Sequence, residues 1–571
     1  MKKITIYILL IIAVLLAILT RFYKLGVAPK GLYLDEAGQG YSAYSILKTG
    51  KDEFGKSFPI VFRSFNDFKT PVYIYLVVPL IPLFGLTAFT VRFPSFFFSI
   101  LTIPLLYLLI KELINSTSQK IKIDKKTTDL VAIISSLLLS ISPWHILFGR
   151  TNFECNVALF FYLFGVYLFF KSLKKPKLLI ASALSFAIAI PAYHAQRIIT
   201  PLTLIALFIK YRKTVLDTKH IKSFIIGILV GIIVCLPTVL VAFTPGFLAR
   251  ASGLNIFSHN KYLPAGYNLT YTGIFNWFIN NSFLLSLKEF LSLYFSYLLP
   301  RNMFILGDYG PRSSFPQLST FFLWQFPFYI YGIYLLIKNK QLGNLRWFTI
   351  FLLLISPLPA AVTRDPYSSI RSLQLVIPQT IIISIGLSSL VSRILKSKTF
   401  TKIVFFGFSI FLVIYSLGKL YSSVVILNEY YRANEWNYGW EEVVNEIKIL
   451  NPEYSIVVDS ARSEPYIQIL FYLKFDPIVY QKDNTFISLN EYYTNMERNS
   501  EIKIGNITTR TINWKNDLAK KQYLIGDELA ISLDQIEREN LTLIKEVKYP
   551  DGKCAFRIVE TNPRAYLPEN K

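Results

Sequence analysis

The chain has 571 residues, 53% hydrophobic and 16% aromatic, and only 17% charged, against about 25% in an average soluble domain. That composition excludes a single soluble globule and reads as a polytopic membrane protein. The net charge of +24 is unevenly spread: residues 425–571 hold 18 Lys+Arg against 23 Asp+Glu, so the positive excess travels with the apolar first 424 residues. Such a pairing marks cytoplasmic loops and membrane surfaces and argues against nucleic acid as a partner.

In chain order, "MKKITIYILLIIAVLLAILTRFYKLG" has a basic start, a long apolar run and no small-residue cleavage site. It reads as a retained signal-anchor with a cytoplasmic N-terminus. Eleven spans follow from the need for about 20 apolar residues each: 4–20, 89–110, 129–148, 152–170, 178–193, 197–210, 222–243, 320–337, 346–361, 370–391 and 402–424. Alternating them from an inside start puts five basic loops, 111–128, 171–177, 210–222, 338–346 and 393–402, on the cytoplasmic side. "PVYIYLVVPLIPLFG" (71–85) has three prolines in 15 residues and is expected as an interfacial or re-entrant helix on the outer face. An odd number of spans leaves 425–571 outside.

That tail has soluble composition. "YSIVVDS", "DPIVYQ" and "QYLIG" read as strands, "GWEEVVNEIKIL" as a helix, and "LTLIKEVKYPDGKCAFRIVE" as a hairpin turning at Pro550-Asp551-Gly552. The expected organisation is a multi-span domain over 1–424, with a first outer loop 21–88 and a large outer loop 244–319. A small extracytoplasmic α/β domain over 425–571 completes it. Cys155, Cys235 and Cys554 lie too far apart to imply a disulfide framework or a zinc site.

Acidic residues are scarce in the first 424, so those at outer span ends stand out: Asp35 and Glu36 in "LYLDEAGQGY", and Glu154 in "SPWHILFGRTNFECN". Ionisable groups at the membrane boundary point to function. The same outer level carries His145, Arg150 and Asn156. It also carries Tyr193, His194, Gln196 and Arg197 of "PAYHAQRIITP", and Arg301, Asp308 and Arg312 of "PRNMFILGDYGPRSS". Arg364 and Arg371 of "TRDPYSSIRSLQ" complete the set. Arginine forks suit phosphate. The residue types therefore describe an outward site for an anionic lipid headgroup beside a general base. A flippase or transporter of lipid-linked glycans is the alternative, but it would place ionisable groups near mid-bilayer, where these spans have almost none.

The ordered motifs "LYLDEAGQGYSAYSILKTG", "DFKTPVYIY", "FGLTAFTVRFPS", "ISPWHILFGRTNFECN", "AYHAQRIITPL" and "SYLLPRNMFILGDYGPRSS" resemble the C-type glycosyltransferase superfamily. The similarity is to its protein O-mannosyltransferase and aminoarabinose-transferase branch, glycosyltransferase family 39, in its prokaryotic form. The resemblance implies a membrane enzyme that takes sugar from a polyprenyl phosphate to an acceptor hydroxyl on a lipid, glycan or protein, with inversion. It further implies Asp35 as general base, Glu36 in support and Glu154 as a second acid. Donor phosphate would be held by Lys69 with Arg301, Arg312, Arg150 and Arg197, and substrate by Tyr193, His194, Asn156 and Arg371. A divalent metal among Asp35, Glu36 and Glu154 stays open, since no ligand spacing is diagnostic.

Overall fold

The structure, a computed structural model, describes residues 3–65, 67–117, 125–245, 255–257, 281–363, 366–484, 488–494 and 500–563. Much of the outer loop 244–319 and part of the loop 111–128 lie outside the described residues. The chain is mainly helical and divides into two compact units. The first comprises Met1–Tyr23, Ser95–Phe243 and Phe247–Ser423, and the second Lys24–Pro94, Thr244–Gly246 and Val424–Lys571. The stretch Lys24–Pro94, which holds most of the expected first outer loop, does not stay with the spans. It folds with the tail, because its apolar and polar side chains find their partners there.

In the first unit every expected span contains helix. Among the described residues seven helices are long and apolar enough to cross a membrane: Lys3–Phe22, Ala88–Asn115, Glu154–Ser172, Ile221–Val241, Lys340–Ala361, Leu373–Ile394 and Thr399–Arg432. The remaining expected spans are helical but shorter or more polar. That at 129–148 is two helices, Lys125–Ser140 and Pro143–Phe148, since Ser142 caps a new helix with Pro143 in its first turn. Helix Ile221–Val241 turns Ile225, Ile232, Ile233 and Leu240 outward, and Thr399–Tyr421 does the same with Phe400, Ile403, Phe408 and Phe411. A surface of that kind requires a lipid surround. Helices Phe326–Lys338 and Val376–Ile394 cross at Gly332 and Gly386, where any Cβ would strike the facing helix's carbonyl, Ile382 or Phe328.

The second unit contains a hairpin, β1 (Phe62–Ser64) with β2 (Asp67–Lys69), and a six-stranded mixed sheet. Its strands are β3 (Ser455–Val458), β4 (Ile502–Ile504), β5 (Ile507–Thr509), β6 (Gln522–Gly526), β7 (Thr542–Lys548) and β8 (Cys554–Glu560), in the order β4-β5-β3-β6-β8-β7. β3 runs parallel to both neighbours, and the expected hairpin is β7–β8. Val457, Leu524 and Val559 bury one face against Ile512, Leu518 and Ile531. "DPIVYQ" is a helix, Pro477–Asp483, not a strand: the Asp476 carboxylate accepts from Ile478 N–H at 2.8 Å, and Pro477 fits the first turn. The segment 71–85 is broken by its prolines into Pro71–Val77, Val78–Leu80 and Ile81–Phe84, which bury Tyr73, Ile74 and Val77.

Candidate active site

Asp35 and Glu36 stand in the first turn of helix Leu34–Thr49, where unpaired backbone N–H groups favour negative charge. From there their environments diverge. Glu36 is fully buried and meets Arg92 as a two-pronged pair, Nε–Oε1 at 3.0 Å and Nη2–Oε2 at 2.8 Å. Arg92, equally buried, spends its other donors on the carbonyls of Leu25 (3.3 Å), Pro29 (2.9 Å) and Gly31 (2.7 Å). Every N–H of the guanidinium is thus satisfied. Glu36 also accepts from Tyr33 N–H at 3.1 Å, closing the helix start. Both oxygens are committed, so Glu36 frames the turn.

Asp35 keeps 24% of its side chain exposed and meets Lys69 Nζ at 2.9 Å. Lys69 ends β2, directly before helix Pro71–Val77, and its ammonium also lies 3.9 Å from Asp67. Asp35 is thus a carboxylate in reach of solvent beside a lysine at the end of β2, and such access is what an incoming hydroxyl requires of a base. The sequence reading missed Arg92. Its signal was an arginine inside the apolar run "TAFTVRFPSFFF", a placement too costly without a buried acid.

Farther along this unit lies another acid pair, Asp52 and Glu53, both buried. Asp52 accepts from Phe54 N–H (3.0 Å), Lys56 N–H (2.8 Å) and Tyr492 O–H (2.5 Å). Burial pushes its carboxyl up to about 6, and holds that of Glu53 well above the usual range.

In the first unit the turns around Trp144, Tyr193 and Asp308 converge on the segment 366–374. Trp144 Nε1 donates to Ser369 O at 2.9 Å and Tyr193 O–H to Ile370 O at 3.3 Å. Asp308 accepts from Ser369 N–H at 2.6 Å, and Gln196 Nε2 donates to Gln374 Oε1 at 2.7 Å. Arg371 donates to Thr363 Oγ1 at 2.7 Å. The turns that carry Arg150, Arg197, Arg312 and Arg371 are thereby brought together. Arg364 and Asp365 lie outside the described residues.

Several of the named residues in this unit are buried in its frame. Arg150 is buried and donates to the carbonyls of Thr20 and Arg21, each at 3.0 Å. Asn156 is buried with its amide on Ser95 O at 2.8 Å. His145 Nδ1 accepts from Arg21 Nη2 at 2.9 Å, which fixes a neutral ring with its proton on Nε2. Glu154 opens helix Glu154–Ser172, and it, His194, Arg197, Arg312 and Arg371 are half-buried, while Arg301 is exposed. An almost wholly apolar cavity of about 630 Å³ runs between helices Leu178–Ala192, Gln196–Val215 and Ile221–Val241. Among the described residues no group of three or more His, Cys, Asp or Glu is placed to hold a metal ion.

No curated protein matches the chain by sequence. Residues 68–240 match the dolichyl-phosphate-mannose-protein mannosyltransferase family. The crystal structure of ArnT from Cupriavidus metallidurans bound to undecaprenyl phosphate superposes with a TM-score of 0.51 at 10% identity, over 98% of each chain. The chain has the C-type glycosyltransferase fold. The oligosaccharyltransferase of Archaeoglobus fulgidus, tethered to an acceptor peptide, is a further similar structure, with a TM-score of 0.48, 12% identity, and coverage of 100% of this chain and 75% of that one. The family match begins one residue before Lys69 and takes in Arg92, while Asp35 and Glu36 precede the matched residues.

Proposed function

We propose that this chain is a membrane glycosyltransferase that moves a sugar from a polyprenyl-phosphate donor to an acceptor hydroxyl, with Asp35 as general base. The observation that carries the reading is the split between the two adjacent acids: Glu36 is locked by Arg92, and Asp35 is left accessible beside one cation. The acceptor oxygen attacks the anomeric carbon in line, its proton passes to Asp35, and the bond from that carbon to the phosphate oxygen breaks with inversion. The lipid phosphate leaves with the electron pair, and a cation must meet the charge that gathers on it. Lys69 is assigned that role, sharing its ammonium between Asp35 and the phosphate.

Arg301, Arg312, Arg197 and Arg371 are assigned as further anion ligands, and Glu154, Tyr193 and His194 as groups facing substrate. Arg150 and Asn156, committed to backbone carbonyls, are assigned to holding their turn. The apolar cavity of about 630 Å³ suits an isoprenoid chain. In this reading the N-terminus is cytoplasmic, and residues 425–571 and the acid pair face outward.

The test is transfer from radiolabelled polyprenyl-phosphate sugars in membranes, wild type against Asp35→Asn. The variant is expected to lose transfer by about 10²–10⁴-fold, the usual contribution of a positioned base. Undiminished transfer would end the assignment, and the donor that labels product identifies the sugar.

A further inference from the structure

The turn that carries Asp35 is assembled from two distant stretches of chain. Gly31 lies flat on the tail's turn at Trp436–Tyr438, at φ +96°, and a Cβ there would collide with the Trp436 carbonyl. Trp436, buried, sets its ring edge-on to Tyr33 at 6.4 Å and 5.9 Å from the Arg92 guanidinium. Gln468, also buried, sits on helix Pro465–Leu473, which packs along Leu34–Thr49; its Nε2 donates to Leu32 O at 2.8 Å. The far end of the same helix is held too. Tyr41 O–H donates to Phe475 O at 3.1 Å, and Gln481 Nε2 reaches Ser45 Oγ at 2.9 Å and Asp52 O at 2.7 Å.

We infer that Gln468 and Trp436 are positioning residues for Asp35, so that the tail's first task is to hold the proposed base. The peptide that Gln468 grips immediately precedes Tyr33, whose N–H closes on Glu36, so its bond sets the pitch of the first turn. Asp35 projects from that turn toward Lys69, which stands on a separate hairpin. Rotation of the helix start therefore changes the Asp35–Lys69 geometry and leaves Lys69 where it is. A buried amide donor on that carbonyl resists such rotation, because water cannot replace it.

The inference rests on the reading of Asp35 as base, and the experiment separates the two. Full-length protein carrying Gln468→Met, which keeps length and bulk but loses the donor, is compared with wild type, with Asp35→Asn and with the double variant. The probe is the labelled polyprenyl-phosphate sugar that wild type uses. Gln468→Met is expected to lower kcat by about tenfold, because small misplacements of a reacting group carry penalties of that order. KM for donor and acceptor should stay within twofold of wild type, and the double variant should be no slower than Asp35→Asn alone, since both act through one group. Unchanged kcat in Gln468→Met beside an inactive Asp35→Asn overturns the positioning role and leaves the base. A raised acceptor KM at constant kcat overturns it in favour of acceptor binding by the tail. Full activity in Asp35→Asn removes the base and this inference with it. If Gln468→Met does not accumulate, Trp436→Phe is read by the same split.

Discussion

Asp35 and Glu36 are adjacent on one helix turn, carry the same functional group and face opposite fates. Glu36 is enclosed with Arg92, every charge and donor of the pair accounted for. Asp35 has one lysine and part of its surface open. The difference teaches how one turn can use two acids: a charge with all its partners fixed holds shape, and a charge with one cation and open surface is the one that a substrate can reach. Asp52 adds a third condition, a buried carboxyl whose hydrogen bonds come from two backbone N–H groups and a tyrosine hydroxyl.

The largest effect should come from breaking the enclosed pair. Glu36→Gln leaves Arg92 charged, buried and without its counter-ion, a change that costs about 3–5 kcal/mol in folded proteins. Thermal unfolding of the purified protein and its yield in membranes should both fall sharply. A variant as stable as wild type would mean that Glu36 is not the frame and that the contrast with Asp35 is false.

Asp52 tests burial where desolvation outweighs the neighbouring charges. Its carboxyl titrates near 6 when folded and at 3.8 when unfolded. Between those values the folded state holds the proton that the unfolded state has lost, so stability falls as pH rises through the window. It then stays flat above about pH 6. The accumulated penalty is about 3 kcal/mol. Asp52→Asn removes it, so the variant should be the more stable protein at pH 7, with its advantage vanishing by pH 4. Glu53 is raised partly by the charge of Asp52, so Asp52→Asn also relieves Glu53 and adds to the variant's advantage at pH 7. A difference in unfolding midpoint that does not change with pH would show Asp52 ionised within the fold, held as firmly as Glu36.

The helices and the β7–β8 hairpin were legible because their signals are local: apolar runs of span length, and Pro-Asp-Gly between alternating strands. "DPIVYQ" was misread although its capping Asp476 and Pro477 were in view, because a short apolar run fits strand and helix alike. The acid pair drew attention through scarcity. What separates its members did not, since Arg92 lies 56 residues from Glu36 and was absorbed into an apolar run. The union of 24–94 with the tail was beyond reach for the same reason: Gln468 and Leu32 meet across 436 residues, and no local pattern encodes that meeting.

The smallest effect sharpens the comparison most. Asp35→Asn alters the neighbour of Glu36, in the same turn, by the same chemical change of carboxylate to amide. Partly exposed ion pairs contribute about 1 kcal/mol or less, and Lys69 retains Asp67 at 3.9 Å. Its unfolding midpoint should therefore stay within a few degrees of wild type while sugar transfer collapses. Glu36→Gln should show the reverse order, with stability failing first. If Asp35→Asn destabilises the protein as much as Glu36→Gln does, both acids are structural, and the base must be sought elsewhere, with Glu154 the next acid to replace.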